Sequence, residues 1–242
     1  MSTSNSYNYK ASASAIIAEA YRKVGALGDT ETLDATRQAI GMVMLNMMVK
    51  TFSAFGLQLW MRDEQYIPLS LFAVDQVITV GPGGEFPLDY KPLRLLECQR
   101  YDLTDPTYPT SIPIINMTER EYQQQVTKNS RGAPVQIYYR PDAYQGWLHI
   151  WPNADTYWQT NGSLGCVFHR QVQDFDGTTD DPDFPVEWTE ALVYQLALRL
   201  APNVGLPPSD RQMLQADADR ILSLVLASDY EEGSIYFRPA RR

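Results

Sequence analysis

Residues 180–202 read DDPDFPVEWTEALVYQLALRLAP, and the reading of this stretch decides the fold. An acidic, proline-punctuated lead-in gives way to Trp188, Leu192, Leu196 and Leu200, apolar residues in steps of four. That spacing puts them on one face of a helix, with Pro185 near its first turn, where a missing N–H costs nothing. The pattern predicts a helix from Pro185 to about Leu200, ended by Ala201-Pro202. Beyond it, Ser209 and Gln212 have the spacing of a capping box, and Leu214, Ala218, Ile221 and Val225 continue a second amphipathic stripe. From Ser228 to Arg242 helical periodicity is lost, and the chain reads as an extended tail with a strand-like Ser234–Phe237.

The other end of the chain mirrors this pair. Residues 1–10 read as extended or disordered. Ile16, Ile17, Ala20, Val24 and Leu27 then predict a helix from about Ser12 to Leu27, with Gly25 and Gly28 at its exit. A second helix is predicted from about Glu31 to Phe55, capped at Gly56, with Ile40, Val43, Met44, Met47, Met48, Phe52 and Phe55 as its apolar face. Four methionines fall between Met42 and Met48. Such a stripe suits an adaptable interface, but core packing is the reading adopted.

Between Leu57 and Arg170 short apolar runs alternate with Pro, Gly, Asp and Asn clusters, the pattern of strands and turns. Strands are predicted at 65–69, 76–80, 93–101, 111–115, 134–139, 147–151 and 163–170. Gly81-Pro82-Gly83-Gly84 reads as a turn, Asp142 to Gly146 as a hairpin loop, and Thr118 with Glu121 as the capping box of a short helix reaching about Val126. The expected fold is therefore α+β: a bundle of about four helices from both chain ends, an inserted antiparallel β region, and an extended C-terminal tail. The boundaries are 1–56 for the first helical hairpin, 57–173 for the β-rich insert, 174–227 for the second hairpin and 228–242 for the tail.

Composition narrows the function. The 242 residues carry 20 basic and 29 acidic side chains, a formal charge of −9, with no basic stripe of the kind that neutralises phosphates. Specific nucleic-acid binding is disfavoured, whereas an acidic surface past which DNA slides is compatible. No apolar run approaches the roughly 20 residues a membrane helix needs. The polar start MSTSNSYNYK lacks a secretion signal's apolar core, which predicts a cytoplasmic origin. Cys98 and Cys166, the only cysteines, make neither a disulfide framework nor a zinc site and are expected to be separate reduced thiols half buried in strands.

Candidates for chemistry are few. His149 and His169 fall in predicted strands; on adjacent strands they could meet and share a metal with a carboxylate, but their spacing does not require it. Residues 174–183 hold five carboxylates, yet with Asp174 first Gly177 falls at position four, where an EF-hand needs its glycine at six. An acidic turn favourable to the following helix dipole is the better reading. No G-x-S-x-G, Walker, H-E-x-x-H or C-x-x-C motif is present, so neither a catalytic residue, a cofactor nor a metal site is assigned and the chain is read as a non-enzyme. Tyr138, Tyr139, Tyr144, Trp147, Trp151, Tyr157 and Trp158 make the β region aromatic. Such rings can serve a carbohydrate- or nucleic-acid-binding module or a cell-wall glycan hydrolase, the alternative function, but without a basic patch a core or subunit interface is the stronger reading.

Several segments, taken in order, resemble a known family. They are Gln58-Leu59-Trp60 after the long helix, Phe86-Pro87-Leu88, Pro134-x5-Arg140, and Leu148-His149-Ile150-Trp151-Pro152. Asp180-Asp181-Pro182-Asp183-Phe184-Pro185-x2-Trp188-x2-Ala191-Leu192, the Leu196-Ala197 and Leu200-Ala201-Pro202 steps, and Ser234-x2-Phe237-x-Pro239 complete the set. From about Ser12 to Pro239 the chain resembles the head-to-tail adaptors of short-tailed bacteriophages, the tail accessory factor or packaged-DNA stabilisation family, with a longer β region than the shortest members. The resemblance implies a structural virion protein at the head–tail junction. It implies a ring of subunits, dodecameric in the family, beneath the portal protein, with a tail or nozzle protein below and DNA passing through the lumen unbound. It also implies that the C-terminal extension docks on the portal, which assigns Ser234, Ile235, Tyr236, Phe237, Arg238, Pro239, Arg241 and Arg242 as portal-binding residues. A flexible tail with these aromatic and basic groups would order on binding, and many tails in one ring would hold multivalently.

Overall fold

The computed structural model describes residues 5–6, 8–53, 59–105 and 107–228. The fold is mixed α+β, with six α-helices and ten strands among the described residues. Two compact units divide the chain: one takes residues up to Trp60 and from Val172 onward, the other Met61–Gln171.

The first unit holds the long helices α1 (Ala13–Lys23), α2 (Ala35–Phe52), α5 (Thr189–Val204) and α6 (Pro208–Ser228). Ser12 and Asp34 cap the first two by accepting from Ala15 N and Arg37 N, so α2 begins at Ala35 and not near Glu31. Helix α5 packs against α1, α2 and α6, and α1 packs against α2. Trp188, Leu192, Leu196 and Leu200 are buried as their spacing predicts, and so are Leu214, Ala218, Ile221 and Val225 of α6.

Three details correct the sequence reading. Pro202 does not end α5. It stands in the last turn, and Gly205 ends the helix with φ 75°. Gly205 N–H returns to Pro202 O at 3.2 Å and Leu206 N–H to Ala201 O at 3.1 Å, which satisfies the last carbonyls. Gly25 closes α1 in the same way, at φ 69°. A Cβ at either glycine meets no atom within 4 Å, so only backbone strain opposes a side chain there. Gly25→Ala and Gly205→Ala are each expected to cost about 1 kcal/mol in urea unfolding. Second, α6 starts at Pro208, so Ser209 lies inside the first turn and its hydroxyl donates to Asp210 instead of capping.

Third, α2 turns a different face inward. Gly41, Leu45, Met48, Val49 and Phe52 are its buried residues, while Ile40, Val43 and Met47 of the expected inner face are exposed; Phe55 and Gly56 lie outside the described residues. Gly41 explains the rotation: a Cβ there would stand 2.4 Å from Ile17 Cγ2, so the missing side chain lets α1 come against the α2 backbone. Asn46 fixes the other side, donating to Phe175 O and accepting from Phe175 N, both at 2.9 Å. Of the four methionines, core packing holds for Met48 alone; Met42 and Met44 are half-buried and Met47 is exposed.

The second unit is built from two four-stranded sheets and a two-stranded ladder. The strands are β1 (Arg62–Pro68), β2 (Val77–Val80), β3 (Arg94–Asp102), β4 (Thr110–Pro113), β5 (Ile115–Asn116), β6 (Arg131–Gly132), β7 (Gln136–Pro141), β8 (Gly146–Trp151), β9 (Asn153–Ala154) and β10 (Gly162–His169). The first sheet has order β1-β10-β3-β4 and is antiparallel throughout; the second has order β2-β8-β7-β5. The insert is not wholly antiparallel, because β5 pairs with β7 and β6 with β9 in parallel. Both parallel pairs are two residues long, too short to leave a periodic signal. Helix α3 (Glu119–Gln123) carries the predicted Thr118–Glu121 capping box and stops three residues before Val126. Helix α4 (Thr156–Asn161), capped by Asp155, is a helix that the sequence pattern does not predict. Ile67, Phe72, Ile78, Ile137, Leu148, Ile150, Leu164 and Phe168 form the core of this unit.

Cys98 and Cys166 also differ from expectation. They are neither half-buried nor separate: exposed by 3% and 0%, they face each other across β3 and β10 with Sγ atoms 3.1 Å apart.

Candidate functional site

Every residue assigned to portal binding, Ser234 to Arg242, lies outside the described residues. Among the described residues, a candidate surface is the outer face of α2. Thr36, Ile40, Val43 and Met47 succeed one another at intervals of four, three and four, the spacing of a helix-packing seam. Ile40 is 41% exposed, Val43 54% and Met47 59%. No charged residue occurs from Gln38 to Val49. The cations at the helix ends are engaged locally: Arg37 pairs with Asp34 at 3.4 Å and donates to Ala26 O, and Lys50 pairs with Asp174 at 2.7 Å and donates to Val172 O. A helix apolar on two opposite faces, with the inner face already covered, has the character of an element buried in an assembly.

Aromatic residues from the family-like segments meet in the first unit. Trp60 lies 4.9 Å from Phe184 between ring centroids and 6.3 Å from Trp188, and Phe52 lies 6.0 Å from Trp188. Residues from both chain ends therefore close one cluster, with the Arg199 guanidinium over Phe52 at 5.9 Å.

The aromatic face of the second sheet is largely occupied with itself. Register sets Tyr138 opposite His149, Arg140 opposite Trp147 and Gln136 opposite Trp151. Tyr138 stacks on both Tyr122 and His149, Lys128 sits 4.7 Å over Tyr122, and the Arg140 guanidinium is 5.5 Å from the Trp147 ring. Trp151 donates its indole N–H to Thr127 O. Tyr144 stands apart in the hairpin loop, 84% exposed. Tyr139 donates to Pro92 O, and Trp158 lies under the Arg100 guanidinium at 4.3 Å. Two clefts border β5: one of about 280 Å³ lined by Ile115, Met117, Glu121, Gln124, Gln125 and Gln136, the other of about 250 Å³ beside Arg94, Asn116 and Tyr139. Neither brings a nucleophile against a base.

The histidines do not meet, because His149 lies in one sheet and His169 in the other. No group of three His, Cys, Asp or Glu side chains positioned for a metal occurs among the described residues. The acidic stretch is held by its own backbone: Asp180 accepts from the N–H groups of Asp176 and Gly177, and Asp183 from Gln173 N–H. Lys10 pairs with Asp181 at 3.1 Å.

His149 gives the β unit a pH dependence. Burial first, then the charges of Arg140 and Lys128, lower its pKa to about 4, and Nδ1 is buried without a partner. The unfolded chain takes up this proton near pH 6.5, so the contribution to stability is complete above that value and is lost as pH falls from about 6.5 to about 4. Partial solvent access reduces it to roughly 1–2 kcal/mol. His149→Phe keeps a ring against Tyr138 and is expected to flatten this part of a urea-unfolding pH profile. His169, whose pKa is lowered by burial, Arg94 and Arg170, should leave a residual slope.

No family model matches this chain, and no curated protein matches it.

Proposed function

We propose that this chain is a structural subunit of a bacteriophage head-to-tail adaptor, forming a ring beneath the portal that joins head to tail and helps retain packaged DNA. The observation that carries the reading is the uncharged outer stripe of α2, where Ile40, Val43 and Met47 lie in water on a monomer. A subunit of a closed ring presents such a face to its neighbour, and head-to-tail contacts around an axis bury it in every copy. The acidic balance of −9 agrees with a lumen that does not hold DNA, and the resemblance of the ordered segments to the adaptor family points the same way.

In this reading α1, α2, α5 and α6 act as one four-helix bundle that bears the ring contacts. The extended tail carries Ser234, Ile235, Tyr236, Phe237, Arg238, Pro239, Arg241 and Arg242 to the portal, and a tail or nozzle protein attaches on the opposite side. The test is sedimentation velocity of the chain alone and mixed with a dodecameric portal ring, full-length and ended at Ser228. The expected result is co-sedimentation of the full-length chain and its loss on truncation. A full-length chain that stays monomeric beside the portal overturns the reading.

A further inference from the structure

The cysteine pair of the first sheet has a fixed geometry that the adaptor reading does not use. Strands β3 and β10 are antiparallel with Cys98 directly opposite Cys166. Ile114 N–H donates to Cys98 O at 2.9 Å, so the peptide groups of Cys98 are directed to the β4 side, away from β10. Cys98 and Cys166 are thus a non-hydrogen-bonded pair, the closer of the two antiparallel pairings, with Cα atoms typically about 4.5 Å apart; the ladder's register shift falls between Val167 and Phe168, just past the pair. Disulfides span Cα separations of roughly 4.4–6.8 Å. The Sγ atoms are already 3.1 Å apart. Strand β10 is paired on both sides, by β1 and β3, which holds the register against slippage. No third cysteine exists to compete.

We propose that Cys98 and Cys166 form a latent oxidation site, in which a hydroperoxide converts the facing thiols into an intramolecular cross-strand disulfide. The Cys98 thiolate attacks one peroxide oxygen, the O–O bond breaks, hydroxide leaves, and Cys98 becomes a sulfenic acid. The Cys166 thiolate then attacks Cys98 Sγ and displaces the hydroxyl as hydroxide. With the two thiol protons counted, two thiols and one hydrogen peroxide give one disulfide and two waters. Cys98 is the first target because it is the one with residual exposure, 3% against 0%. Burial and the neighbouring Cys98 push the Cys166 thiol up, which makes the reaction slow and faster in mild alkali. The bond would tie together residues 68 apart in sequence and enclose β4 to β9. A virus particle leaving a reducing cytoplasm would meet such oxidants, but the chemistry does not depend on the adaptor reading.

The experiment uses the full chain, reduced, freed of reductant and treated with hydrogen peroxide at pH 8. Peroxide also adds oxygen to exposed methionines, so the readouts are thiol titration in denaturant and tryptic mapping rather than whole-chain mass. The expected result is a fall from two titratable thiols to none, restored by dithiothreitol. A cross-linked peptide pair ending at Arg100 and Arg170 is expected with it, and a rise in Tm of roughly 5–15 °C. Cys98→Ala should give neither the linked pair nor the rise. Thiols that persist in the folded protein, loss that dithiothreitol does not restore, or disulfides between chains would each overturn the proposal.

Discussion

Trp188→Ala is expected to remove about 3–5 kcal/mol from the helical unit, the range for deleting a large aromatic side chain from a packed core. Trp188 is 2% exposed and touches Phe184 at 5.5 Å, Phe52 at 6.0 Å and Trp60 at 6.3 Å between ring centroids. It stands where the 3₁₀ turn Val186–Trp188 enters α5. Its loss therefore opens a cavity at the point where the aromatic residues of both chain ends converge. A single domain has only about 5–15 kcal/mol to lose. The expected reading by calorimetry is a fall of about 10–15 °C in the transition of this unit. Trp188→Phe should retain part of the packing and fall between the two. Phe52→Ala combined with Trp188→Ala should cost less than the sum, since both empty the same cluster. A fall below about 3 °C for Trp188→Ala would contradict the burial.

The longer strands are legible because turn chemistry punctuates them, whereas the two-residue β6 and β9 leave no signal and β4 and β5 read as one run. Gly81 at φ 129° and Gly83 at φ 70° occupy a turn that side chains resist, and the Asp142 N–H to Gln145 O bond closes the β7–β8 hairpin. What local pattern does not carry is which strand sits beside which. Strand β10 returns from the end of the insert to lie between β1 and β3, and that single long-range pairing turned two cysteines read as separate into facing neighbours. Helix α4 leaves little trace in the sequence because TYWQTN has no apolar periodicity; its one signal is Asp155, whose carboxylate accepts from Trp158 N–H at 3.1 Å. The start of α6 was marked by Pro208 at the first helical position, a stronger signal than the Ser209–Gln212 spacing.

The candidate site was half legible. An α2 rich in methionine and free of charge from Gln38 to Val49 announces burial, but a helix apolar on two faces does not say which face its own chain covers. The choice is made by a residue with no side chain, Gly41 against Ile17, and by the Asn46 bonds to Phe175. Neither could be weighed without its partner.

The outer stripe of α2 supplies the second large expectation. Val43→Glu with Met47→Glu should abolish self-association while leaving the fold intact. Both side chains are more than half exposed in the monomer, and glutamate is at least as good a helix former as valine, so Tm should stay within a few degrees. In an assembly the outcome differs. Val43 and Met47 each still have roughly 1 kcal/mol of transfer energy to gain from burial, and a carboxylate in their place must be desolvated without a partner. Together these terms weaken a subunit contact at least about 100-fold, enough to turn a ring into monomers at micromolar concentration. Val43→Lys with Met47→Lys should do the same, which separates lost apolar contact from added negative charge on a chain already at −9. Ala at both positions should weaken association by a smaller factor. If the Glu pair sediments as the unsubstituted chain does, the outer stripe of α2 is not a subunit contact, and the proposed ring would have to close through another surface.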